Sequence, residues 1–145
     1  MTMADDIDVL ARTIWGEARN QGREGMQAVA NVIANRVNTD LGNDGRPDWW
    51  GEGWAGVCKR PWQFSCWNEG DPNRAKLEAV TARDPQFARA LDIAGQAVAG
   101  TLPDLTGGAT SYHTIRPAAA IWPPKWAAEM TETVRLGAHV FYRLR

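Results

Sequence analysis

Asp5–Asn38, DDIDVLARTIWGEARNQGREGMQAVANVIANRVN, holds two helical periods with a turn between them. In the first half Ile7, Leu10, Ala11, Ile14, Trp15 and Ala18 recur at the i, i+3, i+4, i+7 spacing of one helix face, and Asp5 or Asp6 is a suitable N-cap. The spacing predicts a helix over Asp5–Ala18. In the second half Met26, Val29, Ile33 and Val37 form one stripe with no Pro inside, which predicts a helix from Arg23 to Asn38. Arg19-Asn20-Gln21-Gly22 supplies the turn residues between them, so the pair reads as an αα-hairpin.

Beyond the hairpin the periodicity stops. Gly42, Gly45, Pro47, Gly51, Gly53 and Gly56 punctuate Thr39–Gly56, and Trp49, Trp50 and Trp54 sit among them, so the stretch reads as a long loop and a binding rim. Helices are expected again over Pro72–Thr81 and Pro85–Ala99, each with Pro near its first turn, and Gly100 ends the second. Thr110–Ile115 is β-prone. Thr133–Leu136 and His139–Tyr142 flank Gly137-Ala138 as a hairpin, with a helix over Met130–Tyr142 as the rival reading. Trp122-Pro123-Pro124-Lys125-Trp126 reads as a stiff loop. The expected fold is therefore α+β: a mostly helical single domain over residues 1–145 with a small antiparallel sheet near the C-terminus.

The 145 residues carry 16 Lys+Arg against 17 Asp+Glu, a net charge of −1 that offers no field to gather nucleic acid or anionic lipid. No apolar run reaches the roughly 18–20 residues of a spanning helix. The acidic opening Met1–Asp6 lacks the basic and apolar regions of a signal peptide. Eight Trp against two Tyr and three Phe is unusual for one small domain. Either they all pack in the core, or several line a groove for a flat amphipathic ligand, of which a sugar ring is the obvious case.

Glu17 falls at the margin of the first helix's apolar stripe, beside Leu10, with Arg12 and Arg19 on the far side. A carboxyl there is partly desolvated, which raises its pKa and equips it to protonate a leaving oxygen. The bland alternative is a solvated helix-end Glu paired with Arg19 or Arg23.

Ala11–Arg19 with its Trp-Gly-Glu-Ala, Gly25–Val37 with its Asn-Val-Ile-Ala-Asn-Arg-Val, Pro61–Trp67, Gly107–His113 and Gly137–Tyr142 together resemble the SleB-type cell wall hydrolases, the spore-cortex-lytic enzymes and their phage and proteobacterial relatives. The resemblance implies a lysozyme-like or lytic-transglycosylase-like domain that cuts the β-1,4 bond between N-acetylmuramic acid and N-acetylglucosamine. It implies Glu17 as catalytic acid/base, Gln63 and Ser65 in the cleft, and Tyr112 facing the catalytic carboxyl. Trp54, Trp62 and Trp126, with His113, join them as candidate saccharide contacts. The chain departs from many relatives by placing Ser111 where they have His, with His113 following Tyr112.

A hydrolase wants a second carboxylate at a defined separation. Asp44, Asp48, Glu52, Glu69 and Asp71 are available, all in loops and none singled out by a motif. With one well-placed Glu the residues favour a lytic transglycosylase, which needs a single carboxyl and gives 1,6-anhydro products. A muramidase cutting the same bond, or a non-catalytic peptidoglycan-binding module, is the alternative. Cys58 and Cys66 are either a disulfide or two free thiols; two Cys and two His are too scattered to suggest zinc, which argues against a zinc amidase. His139 reads as a structural strand histidine. No cofactor or metal is expected, and the partner is the glycan strand of peptidoglycan, bound by a monomer. The acidic start suits a phage-type endolysin made in the cytoplasm and released to the wall through a pore formed by a holin.

Overall fold

Thr2, not Asp5 or Asp6, starts the first helix. In the computed structural model, which describes residues 2–39, 50–60, 63–115 and 123–144, the Thr2 hydroxyl accepts from Asp5 N (3.2 Å) and the Asp5 carboxylate accepts from Thr2 N (3.1 Å). This reciprocal capping box draws the start of α1 back to Met3, giving Met3–Ala18. After a turn, α2 runs Gly22–Val37. The predicted pair of helices is present within two residues at each end.

Two further helices begin as their sequences imply. In α4, Pro72–Ala79, Asp71 caps Asn73 N; in α5, Pro85–Ala99, Asp84 caps Gln86 and Phe87. Each has Pro in its first turn, and Gly100 closes α5 in the left-handed conformation (φ +79°). One helix departs from expectation: α3, Gly53–Lys59, occupies the end of what the sequence presents as loop. Seven residues opening on a glycine show no period, and what stabilises them is tertiary. Val57 and Cys58 are buried completely in the core, and the chain enters through Gly51 (φ +134°), where a Cβ would strike the Gly56 carbonyl. The remainder of that loop, residues 40–49, lies outside the described residues.

The core forms where α1 packs on α5 and α2, with α3 and α4 closing its sides. Leu10, Ile14, Met26, Val29, Ile33, Leu77 and Ile93 are fully buried in it. The polar residues of α2 do a second job. Asn31 Nδ2 donates to Pro103 O (3.0 Å) and Asn31 Oδ1 accepts from Leu105 N (2.9 Å), while Asn35 Nδ2 donates to Ala109 O (2.8 Å). These bonds strap the extended segment after α5 along α2 and deliver the chain to the sheet.

That sheet has the order β1-β3-β2, all antiparallel, from Ser111–Thr114, Thr131–Leu136 and His139–Arg143. Leu136 pairs with His139 around Gly137 (φ +57°), so the hairpin reading holds over the helical rival. Phe141 faces α2 through Ala28 and Val32. A short 3₁₀ turn, Lys125–Glu129, precedes β2 and begins inside the stretch, Trp122–Trp126, that the sequence reads as stiff loop. The α+β class is as expected.

Candidate active site

Glu17 lies in the last turn of α1, and Gly16 decides how closely that turn approaches its neighbour. A Cβ on Gly16 would meet Cys66 Cβ and Sγ at 2.9 Å and Leu77 Cδ2 at 3.4 Å. The helix end thus rests directly on a second 3₁₀ turn, Ser65–Trp67. Gly16→Ala is expected to lower stability by about 1–2 kcal/mol in a denaturant titration, because overpacking against Cys66 outweighs the gain of about 1 kcal/mol in helix propensity. A rise in stability would show that the turn yields freely.

From this contact the Cys66 thiol donates weakly to Glu17 Oε1 (Sγ···O 3.9 Å). Glu17 is half-buried, and its carboxyl is raised from the ordinary value to about 7, first by burial and then by the negative charge of Asp71; the thiol hydrogen bond acts in the opposite sense. Asp71 is also the N-cap of α4, its Oδ1 accepting from Asn73 N at 2.8 Å. Of the candidate second carboxylates Glu52 and Glu69 are exposed, and Asp44 and Asp48 lie outside the described residues. Cys58 and Cys66 are both free thiols, so the disulfide alternative is not formed. Cys58 is sealed in the core, and Cys66 is turned toward Glu17. Burial pushes the Cys58 thiol up to about 12 and the Cys66 thiol above its ordinary range, leaving both protonated.

Tyr112, on β1, sits opposite Phe141 and packs its ring against His139 (4.9 Å between centroids) and Phe141 (5.6 Å). Burial, and then the charge of Glu17, hold its phenol well above the ordinary value, so it keeps its proton. Tyr112 is one wall of a cavity of about 360 Å³ completed by Arg36, Trp50, Gln63, Ser111 and Trp126. Glu17 is not itself a wall; its charge acts on Tyr112, which is one. A larger cavity of about 550 Å³ contains neither residue, and its charged walls pair with one another, Arg12 with Asp8 and Arg74 with Glu78.

The expected site residues divide. Gln63, Tyr112 and Trp126 meet at the smaller cavity, and Gln63 Oε1 accepts from Arg36 Nη1 (3.2 Å). Ser65 is exposed on its 3₁₀ turn and Trp54 packs half-buried on the core from α3; neither lines this cavity. The reason is the unforeseen α3, which turns Trp54 inward. Strand alternation puts His113 on the face opposite Tyr112. There it meets Tyr142 OH through Nε2 (2.9 Å) and the Trp126 ring at 5.7 Å. Trp62 lies outside the described residues. His139 is a buried strand residue.

Three wall residues, Arg36, Trp50 and Ser111, are not among the expected site residues. Trp50 is visible in sequence only as one of several loop indoles. Arg36 closes an otherwise apolar helix stripe, and the one hint is the Asn31, Asn35 spacing beside it, which marks a polar edge on a buried helix. Among the described residues no helix is long and apolar enough to cross a membrane, and no three acidic, His or Cys side chains gather as a metal site.

Comparison with known proteins adds three findings. A family model described as Cell Wall Hydrolase matches residues 20–142. The spore cortex-lytic enzyme of Halalkalibacterium halodurans is 28% identical over 145 residues, covering 94% of this chain and 34% of that protein. That of Bacillus subtilis is 36% identical over 80 residues, covering 52% and 24%. This chain thus spans about a quarter to a third of the length of those curated relatives. Among solved structures, the catalytic domain of the Bacillus cereus SleB protein superposes with a TM-score of 0.65 at 26% identity, covering 97% of this chain and 91% of that one. The catalytic domain of the germination-specific lytic transglycosylase SleB from Bacillus anthracis gives 0.63 at 26%, covering 96% and 94%.

Proposed function

Because the chain belongs to the SleB-type cell wall hydrolase family, we propose that it cleaves the β-1,4 bond between N-acetylmuramic acid and N-acetylglucosamine in peptidoglycan, with Glu17 as a single general acid/base. The observation that supports this reading best is the raised carboxyl of Glu17, at about 7, in a half-buried position from which its charge acts on Tyr112, a wall of the indole-lined cavity. A carboxyl with that affinity for its proton is about half protonated at neutrality, so it both holds a proton to give and can give it up.

In the proposed reaction the Glu17 proton passes to the glycosidic oxygen as the bond from that oxygen to C1 of the muramyl residue breaks. The resulting carboxylate then takes the proton of the muramyl 6-hydroxyl as O6 bonds to the same C1. The product is a 1,6-anhydro sugar, no water is consumed, and Glu17 ends protonated. Trp50 and Trp126 offer flat apolar faces to sugar rings, and the neutral Tyr112 phenol is a hydrogen-bond donor beside them.

A single-carboxyl route is favoured over hydrolysis because Asp71, the described acid whose charge acts on Glu17, already holds the α4 backbone as its N-cap. Mass spectrometry of fragments released from purified peptidoglycan tests the assignment. Anhydro-muramyl ends, lighter by one water than reducing ends, are expected. Reducing muramyl ends would make the protein a muramidase, and the absence of soluble fragments would leave it a wall-binding module.

A further inference from the structure

Arg36 is a buried cation facing neutral partners. Its residue is 7% exposed, its Nε donates to Thr110 O (2.6 Å) and its Nη1 to Gln63 Oε1 (3.2 Å). Its guanidinium lies over the Trp50 ring at 5.7 Å and the Phe64 ring at 5.4 Å. No Asp or Glu among the described residues forms an ion pair with it, and Nη2 makes no hydrogen bond to any of them. Burying a charge without a counter-ion is costly, so an opposite charge brought into reach of it by a ligand gains unusually much. Desolvation draws the guanidinium down to about 10; Tyr112 and Cys58 oppose that shift and Arg60 reinforces it, and Arg36 stays ionised.

The side chain borders the 360 Å³ cavity, where its companions among the described residues, Trp50, Gln63, Ser111, Tyr112 and Trp126, include no acid. A planar guanidinium matches the two oxygens of a carboxylate, and the indoles beside it match a sugar ring. We propose that Arg36 forms a carboxylate subsite, so that this cavity selects glycan strands presenting a free carboxylate next to the bound sugar. This rests on the glycan-cleaving reading above. On such strands the carboxylate has two sources: the lactyl group of a muramic acid from which the peptide has been removed, or a carboxyl of the stem peptide itself. An amide-linked or amidated group offers no charge and loses the advantage.

The test is calorimetric, on the full chain carrying Glu17→Gln so that ligand is not consumed. Two matched pairs are titrated: a muramyl tetrasaccharide with free lactyl carboxylates against its primary amide, and a peptide-bearing tetrasaccharide with free against amidated stem carboxylates. The acid form of at least one pair is expected to bind about tenfold more tightly than its amide, the size of one charge-assisted contact. The pair that discriminates identifies the source. In Arg36→Gln the acid-to-amide ratio is expected to fall toward one, and in Arg36→Lys, which keeps the charge but loses the fork, to fall in between. Equal affinity for acid and amide in both pairs overturns the subsite, and this comparison holds even where a buried Arg36 variant fails to fold. Failure of every ligand to bind, acid and amide alike, counts instead against the glycan reading itself.

Discussion

Glu17→Gln is expected to slow release of glycan fragments from purified peptidoglycan about a thousandfold, within the 10²–10⁴ range attributable to one general acid. Gln keeps the length and planar head of Glu but has no proton to give to a leaving oxygen. The Cys66 thiol still finds an oxygen to donate to, and the close seat of Gly16 on Cys66 is untouched. Circular dichroism and melting of the variant should therefore show an intact fold, so lost activity reports chemistry. Wild-type activity should also decline as pH rises past about 7, because the acid form of Glu17 is then depleted. A variant that keeps a tenth or more of the wild-type rate would remove Glu17 from the mechanism.

The second large effect is on stability, and the variant separates it from every other titration. Glu17 is raised from 4.5 in its unperturbed state to about 7 in the folded chain. Between those values the folded state holds a proton that the unfolded state has released, so stability falls as pH rises. The Glu17 contribution is fully present below about pH 4.5 and lost as pH passes through about 7. At roughly 1.4 kcal/mol per unit of pKa the loss has an upper bound of about 3 kcal/mol, and solvent screening of the half-exposed side chain brings the expectation to about 1–3 kcal/mol. Gln carries no charge at any pH. Glu17→Gln should therefore equal wild type at pH 4 and exceed it by that amount at pH 8, read from urea midpoints at each pH. Equal stability at pH 8 would mean that the carboxylate is fully hydrated, and the acid role would lose its physical basis.

The burial and neighbouring charge that raise Glu17 thus also cost the fold stability wherever its carboxylate is ionised. Asp71 contributes to that cost while capping α4, so one carboxylate both starts a helix and helps keep a proton on its neighbour.

The helices and hairpin were legible because their signals are local. The 3.6 period of Ile7–Ala18, Pro85 in its first turn and Gly137 in a two-residue turn each act within a few residues, through backbone sterics and the faces those residues must bury. The place of Glu17 on the edge of an apolar stripe was legible for the same reason, whereas its role as an acid came only from the family resemblance. The helix Gly53–Lys59 was not, since Val57 and Cys58 are held by distant parts of the core rather than by a period of their own. Trp54 was misplaced with it. Residue types and spacing alone determined the α+β class and the αα-hairpin with Glu17 beside its turn. Tertiary structure decided which side chains surround that acid and which surround the cavity. Arg36 reaches Thr110 across 74 positions and Gln63 across 27, and a charge's environment is set by whatever packs against it, however far away in the chain that partner lies.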